Sequence, residues 1–116
     1  MVEVIYHIAI PADWAAAKTK GSYAAASLRA EGFIHCATAE QVLAVAERHF
    51  KGKDPLVLLS INPRKLRSEL KFETNRPNGD TYPHLYGPIN LGAITGEYAF
   101  QRNADGAFFL PAALSN

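Results

Sequence analysis

The chain has 116 residues, 48% of them hydrophobic and 20% charged, with a formal net charge of +1 at pH 7. That is enough apolar material for one core, and no linker-like stretch divides it, so a single domain over residues 1–116 is expected. The near-neutral balance excludes a general attraction to nucleic acid or anionic lipid, and no apolar run approaches the ~20 residues of a membrane span. The opening Met-Val-Glu-Val-Ile lacks the basic start of a signal peptide, and the single cysteine, Cys36, has no partner for an internal disulfide. Both point to the cytoplasm.

Residues 3–10 are β-branched and apolar and predict a buried strand, with Ile5, His7 and Ala9 on one face and Val4, Tyr6 and Ile8 on the other. Pro11 to Lys20 is an Ala-rich helix holding Trp14 and stopped by Gly21. Ser22 to Glu31 reads as a second helical piece anchored by Tyr23 and Leu28, and Phe33 to Ala37 as a short strand. Thr38 and Gln41 have capping-box spacing, and Val42, Val45, Ala46, His49 and Phe50 continue on one helical stripe up to Gly52. Leu56 to Ile61 predicts a buried strand, after which Asn62-Pro63 opens a short helical turn. The basic run Arg64, Lys65, Arg67 and Lys71 reads as the solvated face of that turn. Residues 75–80 are a loop by their turn chemistry, and Ala93–Phe100 and Ala107–Leu110 are expected to pair around residues 103–106. Helices and strands interleave without a βαβ rhythm, which favours an α+β fold.

Three of the four histidines sit in apolar or aromatic runs, where a charge is costly and an imidazole pKa is easily moved. His35 shares a strand face with Phe33 and precedes the capped helix start at Thr38, whose free N–H groups suit a phosphate or carboxylate. His84 alternates with Tyr82 and Tyr86 before Gly87-Pro88, so the two phenols could orient a planar ligand and Gly87 could admit it close to the backbone. The plainer alternatives are a core histidine bonded to a carbonyl at position 35 and an aromatic corner at 84. His7 on a buried strand is by itself more often structural, and His49 on the core stripe reads as structural. No close His or Cys spacing marks a zinc site, and no metal is expected. Cys36 has no base on its own strand face for nucleophilic work.

The phrases Ile5-Tyr6-His7-Ile8-Ala9, Gly21-Ser22-Tyr23, Ser27-Leu28, Glu31-Gly32-Phe33-Ile34-His35-Cys36 and Pro83-His84-Leu85-Tyr86-Gly87-Pro88 resemble the bacterial domain of unknown function known as DUF952. That family is similar to the ADP-ribosyltransferase fold, which implies a split mixed or antiparallel β-sheet with flanking helices clasping NAD in a central cleft. The nearest branch by this resemblance contains tRNA 2′-phosphotransferase, with one histidine on the first strand and another on a later strand. His7 then corresponds to the first, which contacts the nicotinamide-side ribose, and His35 to the second, a tyrosine in the toxin-like and poly(ADP-ribose) branches. The third motif position, acidic in those branches, falls in residues 82–89, where this chain has no carboxylate. His84 takes a polar role there, or the domain binds an NAD-like nucleotide without transferring ADP-ribose.

The resemblance thus implies His7, His35 and His84 as catalytic candidates. Ser27, Thr38, Tyr82, Tyr86 and Gly87 are the implied nucleotide contacts, with NAD as cosubstrate and an RNA or protein acceptor. Attack at the nicotinamide-bearing ribose carbon is oxocarbenium-like, so positioning and electrostatics carry much of it. The rival readings are a non-catalytic nucleotide-binding module, a small hydrolase using His35 or His84 as general base, and an interaction protein with an exposed aromatic patch.

Overall fold

The computed structural model describes residues 3–53, 55–74 and 79–114. Its regular elements are β1 (Ile5–Ala9), α1 (Pro11–Lys20), β2 (Ser22–Tyr23), α2 (Ala26–Glu31), β3 (Ile34–His35), α3 (Val42–His49), β4 (Leu56–Ile61), β5 (Glu69–Glu73), β6 (Tyr82–Tyr86), β7 (Ile89–Asn90) and β8 (Ile94–Phe100), with 3-10 turns at Pro63–Lys65, Leu91–Ala93 and Ala112–Leu114. The strands form three antiparallel sheets, ordered β1-β4-β8, β3-β6-β5 and β2-β7. The fold is α+β, and among the described residues no helix is long and apolar enough to cross a membrane.

The alternation expected along β1 is realised. Ile5 and Ala9 pack into one apolar cluster with Trp14, Ile34, Leu59 and Leu85, while Ile8 joins a second with Val42, Leu58, Phe100 and Phe108. β4 alternates in the same way, so the first sheet separates two cores. Each buried Ile or Leu contributes roughly 2 kcal/mol, against about 1 kcal/mol net for a ladder hydrogen bond, so a one-residue slip that turned these side chains outward would be prohibitive. Trp14 and Ala17 turn one side of α1 into the first core, and the Trp14 indole N–H donates to Glu97 at 2.8 Å across on β8.

Two junctions draw the histidine-bearing strands and Tyr23 toward one another. Tyr6 and Ala37 exchange both backbone hydrogen bonds, each 2.8 Å long, which joins β1 to the chain just after β3. This bridge lies one residue before His7 and two after His35. The second junction is the β2–β7 ladder, Ser22 with Asn90 and Tyr23 with Ile89. At the end of α2, Gly32 takes φ +91°, open to glycine without a Cβ penalty, and turns the chain directly into the Phe33–His35 segment.

Several local expectations are corrected. Ser22-Tyr23 is a strand, because Tyr23 is drawn into the core against β7, and helix resumes only at Ala26. Gln41 Oε1 accepts from the Thr38 N–H at 3.1 Å, as the capping spacing implies, but residues 39–41 form a turn and α3 begins at Val42. His49 is exposed rather than core-facing, since α3 ends there and the stripe closes with Val42 and Ala46. Lys71 belongs to strand β5, and only Pro63–Lys65 forms the turn, capped by Asn62 accepting from the Arg64 N–H. β8 pairs with β4, so residues 107–110 contribute only an isolated bridge, Arg102 with Phe108. Of the expected loop, residues 75–78 lie outside the described residues, and Gly79 and Asp80 are irregular.

Candidate active site

His7 is held by both ring nitrogens. Nδ1 lies 2.6 Å from the carbonyl oxygen of His35, which can only accept, so Nδ1 carries the proton. Nε2 therefore accepts, from the Tyr23 hydroxyl at 2.8 Å. Tyr23 is 1% exposed and its ring meets the imidazole edge-on. Burial pushes the His7 pKa down to about 4, only partly offset by the bond to His35, and pushes the Tyr23 phenol upward. Near neutral pH His7 is an uncharged group that fixes a phenol.

These two residues open onto a cavity of about 190 Å³ that also touches Asp13, Ser27, His35 and Phe50. His35 is half-exposed, and its Nε2 lies 3.0 Å from the Glu31 carboxylate. A second, larger cavity of about 470 Å³ adjoins the first across a shared wall of His35, Cys36, Val45 and Phe50, and reaches Glu31, Arg48, His49 and Tyr82. His35 thus faces both spaces with a carboxylate behind it, an arrangement suited to taking or giving a proton. Burial raises the Cys36 thiol to about 12, which keeps it from acting as a thiolate nucleophile.

His84 does not line either cavity, which corrects the expectation of three histidines around one space. It pairs with His35 across β3 and β6, with ring centroids 5.4 Å apart, but it is 2% exposed and covered by the stacked ring of Phe33 at 4.1 Å. Its Nδ1 lies 3.0 Å from Glu73 on β5, and the same carboxylate oxygen accepts from the Tyr86 hydroxyl. The Tyr86 bond, then the His84 bond, hold the Glu73 carboxyl below its ordinary range. His84 thus has a carboxylate partner on the neighbouring strand, outside residues 82–89.

Of the expected nucleotide contacts, Ser27 lines the first cavity and Tyr82 the second. Thr38 and Tyr86 line neither. Gly87 is also away from both, because the Ser68 side chain fills the space beside its α-carbon that a ligand was expected to use. Among the described residues no group of three or more His, Cys, Asp or Glu side chains could hold a metal ion. Sequence reasoning missed Tyr23, Asp13, Glu31 and Arg48 as lining groups. Glu31 and His35 stand four apart, but Gly32 breaks the helix between them, so helical spacing does not announce the pair.

A family described as a protein of unknown function, DUF952, matches residues 8–97. The chain belongs to the DUF952 family. It is similar to the crystal structure of protein CC0527 from Caulobacter crescentus, 36% identical with a TM-score of 0.82, over 91% of this chain and 93% of that one. The solution NMR structure of CC0527 gives 38% identity and a TM-score of 0.77, over 90% of each chain. No functionally curated protein matches. The DUF952 match runs from the end of β1 through most of β8 and so includes every residue of the two cavities from Ile8 onward, with Tyr6 and His7 immediately before it.

Proposed function

We propose that this DUF952 chain binds NAD or a closely related nucleotide in the paired cavities around His35, and acts as an ADP-ribosyl- or phosphotransferase-like enzyme. The observation that carries this reading is the meeting of His7 and His35 at one cavity, ring to backbone, from separate strands. The fit is one of parts. The first cavity, about 190 Å³, is below the roughly 300–1,000 Å³ of drug-sized pockets and suits a ring and sugar, while the remainder of a dinucleotide has the larger adjoining space.

In this reading His7 does not itself exchange protons. It orients the Tyr23 hydroxyl, whose free lone pair can accept from a ribose hydroxyl. Asp13, on the first turn of α1, supplies negative charge beside the sugar carbon that becomes oxocarbenium-like. His35, backed by Glu31, accepts the proton of the attacking hydroxyl. Attack and departure of the nicotinamide then occur on a sugar whose position is fixed by neighbours rather than by a strong base. His84 holds the sheet beneath His35 and has no contact with the ligand.

Calorimetric titration with NAD, run beside an assay for released nicotinamide, tests the reading. Binding at millimolar NAD or tighter is expected, and Tyr23→Phe should weaken it about tenfold through loss of one hydrogen bond to a polar partner. A folded protein that gives no heat with NAD would end the proposal. Because both nitrogens of His7 are already engaged, a non-catalytic nucleotide-binding module is the second reading. It predicts the same binding with no nicotinamide release.

A further inference from the structure

The larger cavity is lined by one guanidinium, two imidazoles, one phenol and one carboxylate. Arg48 and His49, at the end of α3, line it together with His35 and the phenol of Tyr82. Among the described residues, neither the Arg48 guanidinium nor the His49 imidazole makes a hydrogen bond or ion pair. One carboxylate, Glu31, lines the same cavity, and another, Glu47, precedes Arg48 on α3. Glu31 is bonded to His35, and Glu47 accepts the Phe108 N–H at 3.0 Å. Cations near a helix C-terminus gain from the dipole, but that accounts for neither their place around a cavity nor the lack of a partner there.

We infer that the larger cavity is a phosphate-binding subsite, with Arg48 as its principal donor and His49 as its second. A guanidinium presents its N–H groups in a fork that matches two phosphate oxygens, and one imidazole N–H completes a third contact. Phe50 and Tyr82 at the same cavity give a planar ring attached to that phosphate an apolar surface. The ligand class is accordingly a nucleoside phosphate. The phosphate is either that of the nucleotide seated beside His7 or that of a separate phosphorylated acceptor. The subsite rests on the NAD reading only for the identity of the neighbouring ligand; its own support is Arg48, His49 and the cavity they line.

The test is an NMR titration of the whole chain with inorganic phosphate at constant ionic strength, tracking the Arg48 side-chain N–H and the His49 ring. Saturable shifts confined to these two residues and His35 are expected. Arg48→Gln should weaken binding about tenfold, the loss of a charge-assisted contact. Tyr23→Phe, in the other cavity, should leave it unchanged. Arg48 and His49 are both exposed, so variants at either are expected to fold, and unchanged spectra elsewhere check this. The absence of a saturable shift, or equal phosphate affinity in Arg48→Gln and the parent chain, overturns the subsite. Repeating the titration with NAD present separates the two sources. Displacement of phosphate assigns the subsite to the nucleotide's own phosphates, and simultaneous binding assigns it to a second phosphorylated molecule. Phosphate binding with no response to NAD leaves the subsite standing while removing the NAD reading.

Discussion

Lowering the pH from 7 to 4 is expected to remove about 3 kcal/mol of folding stability through His7 alone. The folded imidazole is held from its ordinary 6.5 down to about 4, chiefly by burial, and each pH unit of such a difference is worth about 1.4 kcal/mol. The unfolded chain takes up this proton as the pH falls through 6.5, whereas the folded chain does so only near 4. Between those values the unfolded state binds more protons, so stability rises with pH there and is lost as the pH is lowered. The contribution is fully present above 6.5 and gone below 4. Urea unfolding at pH 7, 5.5 and 4 should show the parent chain losing about 3 kcal/mol more than His7→Gln, since acid effects at other groups are common to both. Parallel losses in the two chains would rule out His7 as the source. A ring titration of His7 in the parent chain reads the same quantity where the variant folds poorly, and there the imidazole should stay neutral down to about pH 4.

Gly87→Ala should destabilise the fold by about 3 kcal/mol, the combined cost of overpacking and of a backbone conformation that side chains rarely adopt. Gly87 sits at φ +156°, and a Cβ placed there would lie 2.8 Å from the Ser68 Cβ and closer still to its hydroxyl. The hydroxyl cannot simply swing away, because it donates to the Pro88 carbonyl at 2.9 Å. Ser68→Gly in the same chain should recover part of the loss, leaving about 1 kcal/mol of backbone cost. Thermal or urea unfolding of the two single variants and the double variant measures the coupling directly. A neutral Gly87→Ala, or a double variant no better than the single one, would show that the close approach to Ser68 does not decide this position.

The contrast between Gly87 and His7 marks how far the chain could be read without its structure. β1, α1 and β4 arise from local patterns, namely alternating apolar residues and a proline-led helix, because each buries a face set by its own sequence. The residues of β1 fell on the expected sides of the sheet. Tyr23 escaped because a two-residue strand has no period, and its placement depends on Ile89, far along the chain. β5 escaped because Lys71 and the preceding basic residues concealed a Glu-Leu-Lys-Phe-Glu alternation. The meeting of His7 and His35 depends on the Tyr6–Ala37 bridge, and the partner of His84, Glu73, stands on a neighbouring strand. Neither is a matter of spacing. The histidines were legible as unusual residues, and their partners were not.

The β2–β7 ladder gives the cavity an order of assembly. Tyr23 is made early in synthesis, but the strand that seats it contains Ile89 and Asn90, and β1 likewise waits for β4. During translation the leading segment therefore holds His7, Tyr23 and His35 without the elements that close them together. Local helices can form as the chain emerges, whereas these long-range pairings come only after most of it has been released. A nascent or truncated chain ending before residue 89 carries every lining side chain of the first cavity and lacks the strand that seats Tyr23 in it.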